Sequence, residues 1–184
     1  MDGSKIRKGA ELILEGLLGP EWDADENYID TPARVQRFYE EFFRDRNFAV
    51  STFPQKVDQM IVVSHHKTWT MCPHHLLPVG LDVSLAYLPK QDVLGLSKLV
   101  RLIENHLTEP QLQETLTDSI ADELMRISIP QPLGSAVSIY GNHLCMQMRG
   151  VHTSAEVHTS ALRGVFLEKP EVREEFFWFV RKAR

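Results

Sequence analysis

A thiol and two imidazoles occur within the four residues CPHH that begin at Cys72. Cys72, His74 and His75 are side chains that bind transition metals, and zinc sites commonly use three or four such ligands. The chain has one other cysteine, Cys145, and His143 lies two positions before it. Cys72, His75 and Cys145 could therefore form an open, catalytic three-ligand site. A fourth ligand from a neighbouring histidine would instead close the site and make it structural.

An open zinc site would support hydrolysis, because three protein ligands leave a position for water, which the metal makes nucleophilic near neutral pH. His74 is adjacent to one candidate ligand, and His143 is two residues from another. Both imidazoles are placed to act as general acid or base, since histidine titrates near neutral pH. The spacing alone leaves the catalytic and the structural site as alternatives.

Basic side chains along the chain suggest an anionic substrate. The 20 Lys and Arg residues are outnumbered by 25 Asp and Glu, and a net charge of -5 argues against a nucleic acid partner. Ser97 with Lys98, Arg101 and Arg149 could gather phosphate oxygens, which suit lysine charges and arginine forks. The sequence has no P-loop and no dinucleotide-binding glycine motif, so side chains would have to hold a nucleotide.

The composition is typical of a globular protein. The chain has 184 residues, 43% of them hydrophobic, which is enough for one core with a small N-terminal appendage. Two cysteines far apart, one beside imidazoles, favour metal binding in a reducing compartment, so we expect the cytoplasm. No segment approaches the roughly 18 apolar residues of a membrane span, and the N-terminus lacks the apolar core of a signal peptide. We therefore expect a soluble protein with no membrane partner.

Two amphipathic helices are predicted ahead of CPHH. Apolar residues recur at helical spacing from Ile6 to Leu18. A second helix should begin with Thr31 as its N-cap and Pro32 in its first turn. Arg34 and Arg37 share one face of this helix, and the simplest interpretation of that face is a solvated edge. The predicted buried stripe of the same helix consists of Val35, Phe38, Phe42 and Phe43.

Strand patterns surround both metal-binding segments. Met60 to Val63 predicts a short buried strand, and Val79 to Tyr87 alternates as a strand with one buried face does, so CPHH lies in the turn between them. Ala136 to Tyr140 predicts a third strand. Alternation over residues 143–149 favours a fourth strand, if that segment is extended. Its polar face would carry His143, Cys145, Gln147 and Arg149.

A helix pair is predicted between the two strand pairs. Leu96 to Leu107 has helical period, and Thr108 followed by Pro110 favours the start of the next helix. Gln113 and Glu114 fall in the first turn of that helix. The simplest interpretation of Glu114 is a carboxylate stabilised by the helix N-terminus.

The order of these elements predicts an α+β fold. Hairpins rather than crossovers join the strands, so the four-stranded sheet should be antiparallel, with the helix pair between its strand pairs. N-terminal helices precede the sheet, and a last helix should begin near Pro170. We expect an N-terminal helical region over residues 1–55 and a catalytic domain over residues 56–184.

Five motifs, in order and with similar spacing, resemble those of the GTP cyclohydrolase I family over nearly the whole chain. They are CPHHLLP (72–78), AYLPKQDVLGLSKLVR (86–101), PQLQETLT (110–117), HLCMQMRGV (143–151) and TSALRGVF (159–166), with DTPARV (30–35) upstream. The resemblance implies the tunnelling fold, in which the sheets of neighbouring subunits join into a barrel. It also implies a homo-oligomer, commonly a toroidal homodecamer, with active sites at subunit interfaces.

The same resemblance implies an open site in which Cys72, His75 and Cys145 bind Zn²⁺. Water activated there would attack C8 of the guanine of GTP, while His74 and His143 move protons. Formate would leave, and the remainder would close to 7,8-dihydroneopterin triphosphate, the first step of pterin, folate or deazapurine synthesis.

The resemblance also implies a substrate-binding set. Glu114, with Gln113, would hold the guanine edge. Residues expected at the triphosphate are Ser97, Lys98, Arg101 and Arg149, with Arg34 and Arg37 contributed from another subunit.

The chain departs from the family pattern at Pro73, where an acidic residue is usual, and at Glu109, where a basic residue is usual. Pro73 removes a charge and a backbone donor, and it biases Cys72 towards an extended conformation. One alternative is therefore the same fold and zinc chemistry on a different purine nucleotide. Another is a catalytically silent oligomer with structural zinc, although such a site would not need His74, His143 or Glu114.

Overall fold

The computed structural model describes residues 1–54, 57–127 and 130–182. The chain forms two compact units, Met1–Asp45 and Arg46–Arg184. The boundary predicted between residues 55 and 56 lies outside the described residues. Among the helices of the described residues, none is long and apolar enough to cross a membrane.

The N-terminal unit contains helix α1 (Gly3–Leu18), a short 3-10 turn (Trp22–Ala24) and helix α2 (Thr31–Phe42). Pro32 lies in the first turn of α2, as predicted, but Thr31 is already helical and Asp30 is the N-cap residue, so the predicted Thr31 cap is wrong. Pro32, the second residue of the helix, has no N–H to satisfy, and no side-chain cap hydrogen bond is made at Asp30.

The predicted buried stripe of α2 is wrong at Phe38 within this unit, whereas Val35, Phe42 and Phe43 are half-buried. Phe38 is 44% exposed, and Pro32 is the buried residue of α2. The rings of Phe38 and Phe42 contact each other in a tilted arrangement, with centroids 5.4 Å apart.

The second unit is built on a four-stranded antiparallel sheet with strand order β2-β3-β5-β6. A separate two-stranded ribbon pairs β1 with β4. In chain order the elements are β1 (Thr52–Pro54), β2 (Ile61–Met71), β3 (Pro78–Leu88), β4 (Asp92–Leu94), α3 (Leu96–Asn105), α4 (Gln113–Arg126), β5 (Gly134–His143), α5 (Leu144–Gln147), β6 (Val157–Gly164), α6 (Val165–Glu168) and α7 (Pro170–Lys182). The expected α+β fold is thus confirmed, and α7 begins at Pro170 as predicted.

Helices cover both faces of this sheet. One core contains Val83 and Leu85 of β3 with residues of α3 and α4, and a second core contains Ala86 of β3 with Phe176 and Val180 of α7. The predicted alternation of β3 is confirmed on its apolar face. Its other face is buried as well, because α7 packs there.

The fourth strand is not where the alternation placed it. Residues 144–147 form helix α5, and the strand that pairs with β5 is β6 (Val157–Gly164). The ladder between β3 and β5 ends where Val79 pairs with His143, one residue after β3 begins. Beyond that point none of the described strands pairs with the chain, and its backbone makes local hydrogen bonds, such as Met148 N–H to Leu144 O at 2.9 Å.

The N-cap of helix α4 lies four residues later than its sequence signals suggested. The predicted Thr108 start is wrong, because the helix starts at Gln113 with Leu112 as its N-cap residue. Gln111 instead donates its backbone N–H to Met71 O at 3.3 Å, and its side chain to His106 O. The segment before α4 is therefore attached to the end of β2, beside Cys72.

A buried carboxylate joins the sheet to α7. Burial raises the pKa of Asp82, but hydrogen bonds from Lys67 and His65 outweigh it and hold that pKa below the ordinary 3.8. The Lys67 ammonium lies 2.5 Å from Asp82 and His65 Nδ1 lies 3.0 Å from it. His65 Nε2 reaches Val180 O at 3.1 Å, from a β-bulge where its φ is 59°. The bulge thus turns a strand residue towards the last helix.

We predict that Asp82→Asn lowers the free energy of unfolding by about 1–3 kcal/mol, because it removes the charge that two donors share. Since the folded-state pKa is depressed, the carboxylate stabilises the wild type above pH 3.8, and this contribution is lost as the pH falls through the lower folded-state value. Urea unfolding at a series of pH values measures both effects.

The matched control is Glu123→Gln, which removes an exposed charge paired with Arg126 at 3.5 Å. It should change stability by less than about 0.5 kcal/mol. Equal losses in the two variants would contradict the role given to Asp82.

Candidate active site

The sheet register brings the two metal-binding segments together. Val79, at the start of β3, pairs with His143, at the end of β5. The CPHH loop comes just before β3, and α5 with Cys145 comes just after β5. Both segments therefore lie at the same end of the sheet, although they are far apart in sequence.

The CPHH loop is a single helical turn that accommodates Pro73. Leu76 N–H donates to Cys72 O at 2.9 Å, and Cys72 N–H donates to Leu77 O at 2.9 Å. Pro73 is exposed at the first position of this turn, where a backbone N–H would have no partner within the turn. Leu76 closes the loop with a positive φ of 52°. The missing donor of Pro73 therefore costs the loop nothing.

Three candidate ligands converge at this end of the sheet. The ligand atoms of Cys72, His75 and Cys145 all lie within 4.8 Å of one another, so the group could hold a metal ion. Cys72 is buried against the main core, Cys145 is half-buried and His75 is exposed. The two cysteines of the site therefore pack against the main core, whereas the His75 imidazole is exposed to solvent.

The donor atoms fit zinc. A tetrahedral site with Zn–S of about 2.3 Å and Zn–N of about 2.0 Å holds sulfur and nitrogen about 3.5 Å apart. Cys72 Sγ lies 3.6 Å from His75 Nδ1. Burial raises the pKa of the Cys145 thiol, and neighbouring Cys72 raises it further. A divalent cation between the two sulfurs would reverse that effect and favour both thiolates.

Two further imidazoles lie beside these donors. His74 Nδ1 is 3.9 Å from Cys72 Sγ, and the side chain is exposed. His143 is half-buried at the end of β5. Burial lowers the pKa of His143, and the Glu114 carboxylate partly offsets that shift. A neutral ring at His143 can accept a proton near pH 7.

The first turn of α4 faces His143. Gln113 is buried, and its Oε1 lies 2.9 Å from His143 Nε2. Glu114 is exposed, and its charge acts on His143. The two neighbours thus differ, with the amide inside the protein and the carboxylate available to a ligand.

Arg149 reaches the same group of residues. One of its guanidinium nitrogens lies 2.5 Å from His75 Nε2. The sequence placed Arg149 on the polar face of a strand, but it follows α5 and is exposed. Its charge is therefore close to the candidate ligands.

The other predicted phosphate contacts lie on helices. Ser97 and Arg101 are exposed on α3, and Lys98 is half-exposed with its stem near Gly95. In residues 1–54, 57–127 and 130–182, no described hydrogen bond or ion pair links these three side chains to the candidate ligands.

Arg34 and Arg37 are exposed on α2, in the N-terminal unit. Arg34 makes an ion pair with Asp30 at 3.5 Å, one turn earlier in that helix. This surface pair leaves the guanidinium accessible to a stronger anion, because exposed ion pairs contribute little stability.

Comparison with known proteins agrees with the site. A family model for GTP cyclohydrolase I matches residues 8–181. The chain belongs to the GTP cyclohydrolase I family. The enzyme named GTP cyclohydrolase 1 from Aquifex aeolicus is 43% identical over 184 residues, covering 98% of each chain. The protein of the same name from Thermoanaerobacter pseudethanolicus is 42% identical, and the match covers 100% of both chains.

A solved structure outside the GTP cyclohydrolase I family supports the fold. The archaeosine synthase QueF-Like in its apo form superposes with a TM-score of 0.50 and 16% sequence identity, covering 59% of this chain and 97% of that one. The likeness confirms the tunnelling fold expected from the motifs.

Some residues of this GTP cyclohydrolase I site were not predicted from sequence. Thr117 and Thr159 contact each other through their hydroxyls at 2.7 Å; Thr159 accepts from the Gln113 side chain, and Thr117 donates to the Gln113 backbone carbonyl. Gly141 lies against the same amide. Small residues in strands and helices carry no local signal of such a role, although Thr159 does fall in a family motif.

Two substitutions in the CPHH loop, one that removes a proline and one that introduces it, should have different effects on metal binding. Pro73→Ala should leave Zn²⁺ affinity within about threefold of wild type, because no backbone hydrogen bond changes. Leu76→Pro should weaken it at least about 100-fold, since proline lacks the N–H given to Cys72 and cannot adopt the φ of 52°. Competition with a chromogenic chelator measures both affinities, and circular dichroism checks the fold. Similar affinities in the two variants would show that this turn does not organise the ligands.

Proposed function

We propose that this protein is a zinc-dependent GTP cyclohydrolase. It would hydrolyse GTP at C8 of the guanine ring, release formate and give 7,8-dihydroneopterin triphosphate. The observation that carries the proposal is the convergence of Cys72, His75 and Cys145 within 4.8 Å, in a chain of the GTP cyclohydrolase I family. The activity stated in the names of the relatives agrees with that chemistry.

Zinc suits this donor set because two thiols and one imidazole are ligands that it prefers over hard oxygen donors. When bound, it would supply the Lewis acidity that brings the pKa of a water molecule close to neutral. Cys72, His75 and Cys145 would hold it, and three ligands would leave the site open.

His74 and His143 would move the protons. One imidazole would accept a proton from the water that adds to C8, and the other would donate a proton to the ring nitrogen as its bond to C8 breaks, which leaves a formamide. A second water would then cleave the remaining C8–N bond and release formate. His143 suits the role of acceptor because burial lowers its pKa and keeps the ring neutral. His74 is exposed at the mouth of the site and can exchange protons with solvent.

Charged side chains would hold the nucleotide. The exposed Glu114 carboxylate suits the amino and ring N–H donors of guanine, which need acceptors. The triphosphate calls for cationic partners, since arginine and lysine bind phosphate oxygens strongly. The residues proposed for it are Ser97, Lys98, Arg101 and Arg149, with Arg34 and Arg37 from another subunit.

A homo-oligomer would complete the sheet. Among the described strands, β2 and β6 are the outer strands of the four-stranded sheet, and each has one edge without a neighbour. Pairing these edges between copies would satisfy their backbone groups. We propose a decamer, as is common in the family. We place it in the cytoplasm, where a reducing environment keeps both thiols available to a metal.

The activity is tested by incubating Zn²⁺-loaded protein with GTP and measuring formate, together with the fluorescence of the oxidised pterin. We expect both products in equal amounts, and removal of the metal by a chelator should abolish them. Turnover of another purine nucleotide but not of GTP would show that the other nucleotide is the substrate. No turnover of any purine nucleotide would favour a structural zinc site.

Two variants separate metal binding from proton transfer. Cys145→Ala should lose zinc and turnover together, because it removes a ligand. His143→Ala should keep zinc and lower turnover by about 10²–10⁴-fold, as expected when a general acid or base is removed. Zinc content by mass spectrometry and formate release measure the two effects. Loss of zinc from the histidine variant would show that His143 is a ligand.

Lys98→Met tests the triphosphate contacts. It should raise KM for GTP about tenfold with little change in kcat, because the charge binds a group remote from C8. The effect should shrink at high salt, since ions screen the phosphate interaction. Glu109→Gln, on an exposed side chain outside the proposed set, is the control and should leave KM unchanged. Equal changes in both variants would contradict the assignment.

A further inference from the structure

Gln113 has an unusual environment for a residue expected to contact substrate. It is 2% exposed at the start of α4. Its amide nitrogen lies 3.2 Å from Ile139 O, 3.0 Å from Val157 O and 3.0 Å from Thr159 Oγ1. Carbonyl oxygens only accept hydrogen bonds, so the atom facing them must be the NH₂ group. The orientation of the amide is therefore determined by β5 and β6.

Two hydroxyl groups complete this arrangement. Thr117 Oγ1 lies 2.7 Å from the backbone carbonyl oxygen of Gln113. Because that oxygen can only accept, Thr117 donates its hydroxyl proton there. It also lies 2.7 Å from Thr159 Oγ1, so Thr159 donates to Thr117. The Thr159 oxygen is then left to accept from the Gln113 amide. The two hydroxyl protons thus run from Thr159 to Thr117 and from Thr117 to the backbone of Gln113, and the two N–H groups of the Gln113 amide are shared among three acceptors.

The amide oxygen of Gln113 points to the proposed proton carrier. Oε1 lies 2.9 Å from His143 Nε2. An amide oxygen carries no proton, so Nε2 must be the donor. In a neutral imidazole the other nitrogen, Nδ1, is then unprotonated and can accept a proton.

Gly141 provides the space for this contact. A Cβ at position 141 would overlap with Gln113 Oε1 and lie 3.0 Å from His143 Nε2. Any larger residue would push the amide away from the imidazole. Glycine is thus required here by a side-chain contact, two residues before His143 on the same strand.

We propose that Gln113 is a positioning residue whose side-chain amide holds His143 in the tautomer with hydrogen on Nε2, leaving Nδ1 as the proton acceptor. The inference rests on the proposed function, in which His143 moves protons at the guanine ring. In this proposal the Gln113 side chain binds His143 instead of the guanine edge, and Glu114 holds the guanine.

Neutron diffraction from deuterated crystals of the Zn²⁺-loaded wild type tests the tautomer directly. We expect deuterium on His143 Nε2 and on the Gln113 nitrogen, with none on Nδ1 at pH 8. Deuterium on Nδ1 with none on Nε2 would overturn the proposal. This measurement needs no turnover, so its outcome is independent of whether GTP is the substrate.

Gln113→Met tests the consequence for catalysis, because it removes the amide at similar side-chain length. We expect kcat for GTP to fall about 10–100-fold, as is typical when a group that orients an active-site histidine is lost, with KM within about threefold. A rise in KM with kcat unchanged would mean that the side chain binds guanine, and would overturn the proposal. Wild-type kinetics in both constants would overturn it as well.

Ser135→Ala is the matched control. Ser135 is buried and donates to Ala121 O at 2.9 Å, so it joins β5 to α4 as Gln113 does. It lies eight residues from His143 along β5, about 26 Å away at 3.3 Å per residue. The kcat of the Ser135→Ala variant should stay within about twofold of wild type. If both variants lose kcat equally, the loss is one of packing and the positioning role is wrong.

Absence of GTP turnover in the wild type would refute the proposed function and leave the neutron result to decide the tautomer. If Gln113→Met does not fold, the hydrogen positions in the wild type still decide the proposal.

Discussion

The antiparallel pairing of β3 with β5 places every candidate ligand and proton carrier of this protein at one end of one sheet. Val79 opposite His143 aligns the start of one strand with the end of the other, so the loop before β3 meets the helix after β5. A shift of one residue in this register would turn His143 to the opposite face and separate it from Gln113. Cores on both faces of the sheet oppose such a shift, because β3 is buried on each side.

That rigidity matters for the chemistry, since a metal site and its proton carriers must keep their geometry within fractions of an ångström. Cys72 is part of the main core, and Gln111 joins the segment before α4 to the end of β2. The buried network around Gln113 adds directional contacts that a purely apolar core would lack. The exposed side of the site, with His74, His75 and Glu114, remains accessible to a nucleotide.

Pro73 shows how a departure from a family pattern can be compatible with the same local structure. The turn after Cys72 takes its hydrogen bonds from the N–H groups of Cys72 and Leu76, and none from position 73. Proline also disfavours the helical region for the residue before it, and Cys72 directly follows the last residue of β2, outside the turn of residues 73–75. The change therefore alters the charge at the mouth of the site more than its framework.

The sequence by itself determined the kinds of ligand, the α+β class, the alternation of β3 and the start of α7 at Pro170, because these follow from side-chain chemistry and local periodicity. It also pointed through its motifs to the GTP cyclohydrolase I family. Tertiary structure decided the rest. Residues 144–147 form a helix where none of the described strands pairs with them, and α4 starts late because Gln111 bonds to β2. The burial of Gln113 likewise depends on β5 and β6, since long-range pairing has no signature in local spacing.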